Sequence, residues 1–236
     1  MSEWFEHPAQ TSSSRQARAG RAQSFIELAL VLPVLFIILL GLVEVAIFIG
    51  RYLDALELTR VAARFASKEE KFQNDYYGEI AKIFQPPEVG LNEYLTLNPA
   101  TDDVIISYFM IYKEGGNTRY LMYPNPSGWA LSNHDTDKDD GNLYTDNWKR
   151  NCQGEEVRTE PYYTIDRVRQ IVETDSSEYN RGFVAVEIYY CHQQVIGIPI
   201  ISEFIPNPIQ IHAYTILSFP PLQESEFRTP IPTSSP

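Results

Sequence analysis

Residues 25–50 read FIELALVLPVLFIILLGLVEVAIFIG, an apolar stretch in which only Glu27, Pro33 and Glu44 are atypical. At about 1.5 Å per residue, a helix of this length extends about 39 Å, which exceeds the hydrocarbon thickness of a bilayer. A helix buried in a soluble core seldom runs this long without a polar face. The stretch therefore predicts one transmembrane helix.

The charges on either side of this helix predict its orientation. Three arginines and no acid lie in residues 7–22, whereas residues 51–60 mix acids and bases. Basic flanks stay in the cytoplasm, so we expect a cytoplasmic N-terminus and an exported segment from residue 51 onwards. The chain has 19 basic and 31 acidic side chains and a net charge of −12, which argues against nucleic-acid binding.

The beginning of the helix, residues 21–33 with the sequence RAQSFIELALVLP, resembles that of TadE-like proteins of bacterial tight adherence pili, a branch of the type IV pilin superfamily. Members typically have a basic leader, a small residue before a cleavage point, a glutamate five positions later, an apolar run with a proline, then a glycine and a second acid. The resemblance gives these roles to Ala22, Gln23, Glu27, Pro33, Gly41 and Glu44. The family usually has glycine where this chain has Ala22.

Glu27 needs a physical explanation, because a charged carboxylate at the centre of a membrane costs about 2.5 to 3.5 kcal/mol on insertion scales. If a peptidase frees the amine of Gln23, that positive charge lies about one helical turn from Glu27 and neutralises it. The resemblance implies pairing with the amine of an adjacent subunit instead. A third interpretation places Glu27 at headgroup depth. Pro33 removes the hydrogen bond to the Ala29 carbonyl and is expected to kink or loosen the helix.

A helical pattern continues beyond the apolar stretch. Tyr52, Leu56, Thr59, Ala63 and Ala66 follow one another at spacings of three and four. This pattern predicts an amphipathic extension over residues 51–75 that packs on a globular head.

The remaining pattern predicts an α+β fold in which one long helix covers an antiparallel sheet, as the pilin resemblance also implies. Residues 103–112 are typical of a buried strand, with residues 119–123 pairing across a Gly-Gly turn. Residues 164–174 predict a short helix capped by Thr164. Alternation along residues 182–192, with Ala185, Glu187 and Tyr189 on one face, and along residues 208–218 predicts two further strands. Residues 182–190, 196–200 and 209–220 also resemble the C-terminal part of TadE-like proteins.

These elements give five segments. We expect a cytoplasmic leader in residues 1–22, a transmembrane helix in 23–50, the extension in 51–75, an extracytoplasmic α+β head in 76–222 and a tail in 223–236. The tail is rich in Pro, Ser and Thr, a composition typical of unpacked chain.

The two cysteines, Cys152 and Cys191, are 39 positions apart and would both face an oxidising compartment. We therefore expect a disulfide, which in the chain-entropy model contributes about 3 to 4 kcal/mol. The alternative is a buried free thiol at Cys191.

An acidic segment, residues 134–142 with the sequence HDTDKDDGN, has two interpretations. It resembles a calcium loop, although Gly141 stands at the seventh position where an EF-hand requires glycine at the sixth. The other interpretation is a solvated acidic turn. The candidate calcium ligands are Asp135, Asp137, Asp139, Asp140 and Asp146.

Catalytic motifs such as GxSxG, HExxH, a P-loop, GxGxxG or CxxC do not occur in the sequence. His192 and His212 would be neighbours if their strands pair, an arrangement more typical of sheet packing than of a site. We expect a protein that is not an enzyme, with calcium as the one cofactor to consider.

Two functions compete. The first is a TadE-like minor pseudopilin that serves a tight adherence pilus or a related secretion machinery. Its partners would be a prepilin peptidase, the lipid bilayer and other pilin-like subunits or the pilus assembly platform, and its location the membrane or an extracellular filament. The second is a binding module, a receptor or adhesin, on an uncleaved anchor.

Overall fold

The computed structural model describes residues 13–68, 76–85, 95–123, 129–131, 147–174, 181–197 and 205–218. The chain divides into two compact units, Met1–Ala46 and Ile47–Pro236. We call the second the C-terminal unit.

The first element is helix α1, Ser13–Ala66, which is continuous through Pro33. Its segment Phe25–Ala66 has a mean hydropathy of 2.9 in its most apolar window, and none of that window is buried inside the protein. Length and composition therefore make it a candidate membrane span. It is the one such helix within the described residues.

The last turns of α1, in the C-terminal unit, pack on the core as predicted, but the buried row is shifted. Thr59, Ala63 and Ala66 are buried, whereas Tyr52 is 40% exposed and Leu56 only half-buried. The other buried positions are Ala55, Leu58 and Ala62. The helix ends at Ala66, and residues 69–75 of the predicted extension lie outside the described residues.

The described strands form one antiparallel sheet, which confirms the α+β fold. They are β1 Asp103–Glu114, β2 Asn117–Tyr123, β3 Trp129–Leu131, β4 Arg181–His192 and β5 Ile209–Ser218. The order is β2-β1-β4-β5, with β3 pairing to the first part of β1. Strands β1 and β4 are central and mostly apolar, so they are buried almost throughout.

The predicted hairpin joins β1 and β2 through Gly115 and Gly116. Both have positive φ, +57° and +85°, which the tight turn between the paired residues Glu114 and Asn117 requires. The strands therefore extend up to the turn on both sides.

Different helices pack on the two faces of the sheet. Side chains that include Val184, Val186 and Ile188 pack with α1 and with the short helix α2, Tyr76–Ala81. We call this the α1 face. On the opposite face, Phe183 and Ala185 pack with helix α3, Ile165–Thr174, through Val168 and Val172. We call this the α3 face.

The prediction that His192 and His212 are neighbours in the sheet is wrong. The register pairs His212 with Tyr189 and His192 with Ile209. His192 lies on the α1 face, with its ring 5.8 Å from that of Phe48, whereas His212 lies on the α3 face. The partner of His192, Ile209, is three positions from His212 along β5. Because side chains alternate along a strand, an odd separation places the two histidines on opposite faces of the sheet.

Candidate functional site

The apolar part of α1 is exposed over most of its length in the N-terminal unit. Every described side chain from Phe25 to Leu40 is exposed, with Phe25 at 72% and Leu30 at 70%. A patch of this size is not stable in water and requires lipid or other apolar helices around it.

The structure places the predicted assembly residues within this helix. Ala22 and Gln23 have helical backbone, Glu27 and Pro33 are exposed, and Glu44 is half-buried. Gln23 and Glu27 are four helical positions apart, about 6 Å along the axis, so they lie on one side of the helix. An amine freed at Gln23 would therefore lie within reach of a carboxylate at Glu27 of the same or an adjacent chain.

The C-terminal unit contains a second site, centred on Glu187 in β4. This side chain has no solvent exposure and lies on the α3 face. Its Oε1 accepts a hydrogen bond from the Tyr163 backbone N–H at 2.9 Å, and its Oε2 accepts bonds from the Tyr162 N–H at 3.0 Å and the Tyr189 hydroxyl at 2.9 Å. His212 Nε2 lies 3.1 Å from Oε2. Four donors thus satisfy a carboxylate that burial alone would destabilise.

Aromatic rings surround this carboxylate. The Tyr189 and His212 rings stack at 4.3 Å and 8°, and those of Tyr162 and Tyr214 at 4.3 Å and 23°. The Arg167 guanidinium lies 3.8 Å from the Tyr162 ring centre, where the aromatic quadrupole attracts it. Tyr162 and Tyr214 are 36% and 37% exposed, so the stack reaches the surface beside β5. We call Tyr162 and Tyr214 the tyrosine pair.

The surroundings shift the pKa of two buried tyrosines. Burial first, and then the neighbouring Tyr214, Tyr162 and Glu187, raise the pKa of Tyr163 to about 12. Burial and the negative charge of Glu187 also raise the pKa of Tyr189. Both hydroxyls therefore stay protonated over the physiological range, which allows Tyr189 to donate to Glu187.

The loop that leads to Tyr162, residues 147–164, is attached to the sheet at several points. The disulfide expected from the sequence is present, and Cys152 is joined to Cys191 at the end of β4. Gln210 of β5 donates from Nε2 to the Arg150 carbonyl at 2.8 Å. The buried Asp103 accepts the Trp148 N–H at 3.0 Å. The loop is thus attached to β1, β4 and β5 before it reaches Tyr162.

The calcium prediction falls on residues that the structure does not describe. Asp135, Asp137, Asp139, Asp140 and Asp146 all lie in 132–146, outside the described residues. Within the described ranges, no group of three His, Cys, Asp or Glu side chains could hold a metal ion. The calcium loop stays a prediction.

Within the described residues, a long apolar helix that the protein does not bury is followed by a unit with its own α+β core, which indicates a single-pass membrane anchor. In a comparison with known families, residues 22–64, which include nearly all of the candidate membrane span, match the family model described as TadE-like protein. The chain resembles TadE-like proteins over this segment, which contains all the assembly residues predicted above. Searches of curated proteins and of solved structures find no match.

Sequence reasoning missed the Glu187 site. Alternation along β4 indicated that Glu187 shares a face with Ala185 and Tyr189, but its backbone donors come from a loop 24 and 25 positions earlier in the chain. One signal was present: an acid within an otherwise apolar strand requires a partner or exposure.

Proposed function

We propose that the protein is a TadE-like minor pseudopilin, a membrane-anchored assembly component of a tight adherence pilus or a related secretion machinery. The observation that carries this proposal is the match of residues 22–64 to the TadE-like family model, because it includes the predicted cleavage point, Glu27, Pro33 and Glu44. The exposure of the apolar side chains in the same helix supports lipid and helix partners. TadE-like proteins are structural components of pili, so the function is assembly.

In this proposal the N-terminus lies in the cytoplasm, a prepilin peptidase cuts between Ala22 and Gln23, and the C-terminal unit is exported. Glu27 then pairs with the new amine of its own chain or of a neighbouring subunit. The Cys152–Cys191 disulfide supports an oxidising location for the C-terminal unit.

N-terminal sequencing and intact mass of the full chain, expressed in a host with a prepilin peptidase, test the proposal. The mature protein should begin at Gln23. Ala22→Phe is the matched control, and it should keep the leader because the cleavage point no longer has a small residue. A native chain that retains Met1 or Ser2 would favour the binding module on an uncleaved anchor, for which the exposed tyrosine pair offers a surface.

A second measurement addresses assembly. Glu27→Ala should reduce co-purification with pilin-like subunits, because the amine then lacks its carboxylate partner within the membrane. Glu57→Ala, which removes a carboxylate beyond the most apolar part of α1, should leave co-purification unchanged. Equal behaviour of the two variants would contradict the role of Glu27.

A further inference from the structure

Strand β5 lies at one edge of the sheet. All ten of its residues pair with β4 on one side, from Phe183 with Ser218 to His192 with Ile209. Among the described strands, none pairs with β5 on its other side. The backbone N–H and C=O groups that point away from β4 can therefore pair with an additional strand.

The sequence of β5 lacks the features that normally protect a sheet edge. IQIHAYTILS contains no charged residue, no proline and no glycine. Natural edge strands commonly carry lysine, proline or a bulge that prevents pairing with another chain. A ten-residue edge strand without these features can accept another strand along its outer side.

The opposite edge of the sheet is compatible in charge. Strand β2, NTRYLMY, carries one charged residue, Arg119. The chain as a whole has a net charge of −12, yet neither β2 nor β5 contains an acid. Carboxylates that face each other across two paired strands destabilise the pair. Two copies that meet at these edges avoid this repulsion, because neither strand has a carboxylate.

Strand direction decides how the edges can meet. Each pairing along β2-β1-β4-β5 is antiparallel, so β5 runs opposite to β2. Copies anchored in one membrane can lie side by side in the same orientation. If such copies are related by a sideways shift, β5 of one copy runs antiparallel to β2 of the next.

We propose that β5 pairs in antiparallel fashion with β2 of a second copy of this chain, so that the sheet continues from one C-terminal unit to the next. The proposal rests on the proposed function, because it needs copies anchored side by side. The pairing would also cover the tyrosine pair beside β5. Since the contact uses different surfaces on the two copies, it does not close at a dimer and can repeat.

Cysteine cross-linking in the membrane tests this pairing. Two full-length copies with different tags are co-expressed, one with Ser218→Cys or Tyr214→Cys and the other with Thr118→Cys or Tyr120→Cys. These four positions lie on the α3 face in the observed registers. The native cysteines are already joined, so the new thiols are the only free ones.

Mild oxidation should give a mixed-tag product for at least one of these combinations, because directly opposite Cβ atoms are about 4.5 to 5.5 Å apart in a paired sheet. Arg119→Cys is the matched control. It lies on the same strand but on the α1 face, opposite Tyr112, and should give no product.

A blocking variant gives an independent measurement. Tyr214→Lys places a charge at the edge and should lower the yield of the product formed through Ser218→Cys about tenfold. Ile171→Lys adds the same charge at another exposed apolar residue, on α3, and should leave the yield unchanged. Near-ultraviolet circular dichroism establishes that both variants are folded.

Three outcomes would overturn the pairing. The first is a product only between two Ser218→Cys or two Tyr214→Cys copies, which means that β5 pairs with itself. The second is an equal loss of product in the two lysine variants. The third is a chain that is cut at Gln23 and co-purifies with pilin-like subunits but gives no mixed-tag product, which rejects the strand pairing and leaves the proposed function intact.

Discussion

Glu187 is an ionisable side chain with no solvent exposure in the middle of a sheet, which makes it the most demanding residue of the C-terminal unit. Burial of an unpaired carboxylate costs several kcal/mol, so its donors are a condition of the fold. Those donors come from β4, β5 and the loop before α3. One carboxylate thus fixes the position of the loop that presents Tyr162, one member of the tyrosine pair.

Replacing this carboxylate should destabilise the C-terminal unit. Glu187→Gln keeps the shape of the side chain but turns an NH2 group toward donors, and we expect a loss of about 2 to 3 kcal/mol in unfolding free energy. Thermal or denaturant unfolding of the detergent-solubilised chain measures it. Glu173→Gln, at an exposed position of α3, is the control and should match the native midpoint. A native midpoint for Glu187→Gln would show that the network does not stabilise the unit.

Tyr163 should make stability depend on alkaline pH. Burial and its neighbours raise its pKa from 10.0 to about 12 in the folded protein. The folded state therefore holds this proton more tightly than the unfolded state. Its contribution is present in full below pH 10 and is lost as the pH rises through about 12. Between pH 10 and 12, the unfolding midpoint of Tyr163→Phe should fall less steeply than that of the native chain, and parallel curves would contradict this.

At the scale of elements, a hydroxyl pair joins α1 to β5. The Oγ1 atoms of Thr59 and Thr215 are 2.8 Å apart, and Thr59 also donates to the Leu56 carbonyl at 2.7 Å. Thr59 is completely buried. Either hydroxyl left alone would lose a hydrogen-bond partner, so the two residues should be coupled energetically.

A double-mutant cycle with Thr59→Val and Thr215→Val measures this coupling. Each single variant should lower the unfolding free energy by about 1 to 2 kcal/mol, and the double variant by about 1 kcal/mol less than the sum. Valine is matched to threonine in shape, so packing changes little. Additive effects in urea unfolding would mean that the hydroxyls do not interact.

The elements themselves were largely predictable, because each depends on a local pattern. Alternation predicted β4 and β5, two glycines predicted the Gly115-Gly116 turn, and the pattern of residues 164–174 predicted α3. The exact face of α1 was not predictable. Alanines and threonine are compatible with either side of a helix, so the sheet decides which of them are buried.

The associations between elements could not be read from the pattern. Which strand neighbours which, and hence that β5 and β2 are the edges, depends on pairings between distant segments such as β1 with β4. The separation of His192 from His212 has the same origin, since a shift by one residue in register reverses the faces. The anchor is different, because a run of apolar residues is sufficient to predict it.

At the scale of the whole molecule, the two units differ in how their apolar side chains are removed from water. The buried apolar residues of the described chain all lie in the C-terminal unit, beginning with Ala55, whereas the residues from Phe25 to Leu40 are all exposed. The C-terminal unit has its own core, its own network around Glu187 and the disulfide. The N-terminal unit depends on lipid or on neighbouring helices.

This division predicts that the C-terminal unit folds without the anchor. A chain beginning at Ile47 should stay in solution without detergent and unfold cooperatively, with a midpoint within a few degrees of that of the detergent-solubilised full chain. The reason is that every described residue with a buried side chain is kept. The same chain with Leu58→Ala is the control. It should lose about 2 to 5 kcal/mol, since Leu58 is buried where α1 packs on the sheet. An Ile47 chain that aggregates or unfolds without a transition would mean that the fold of the C-terminal unit requires the membrane helix.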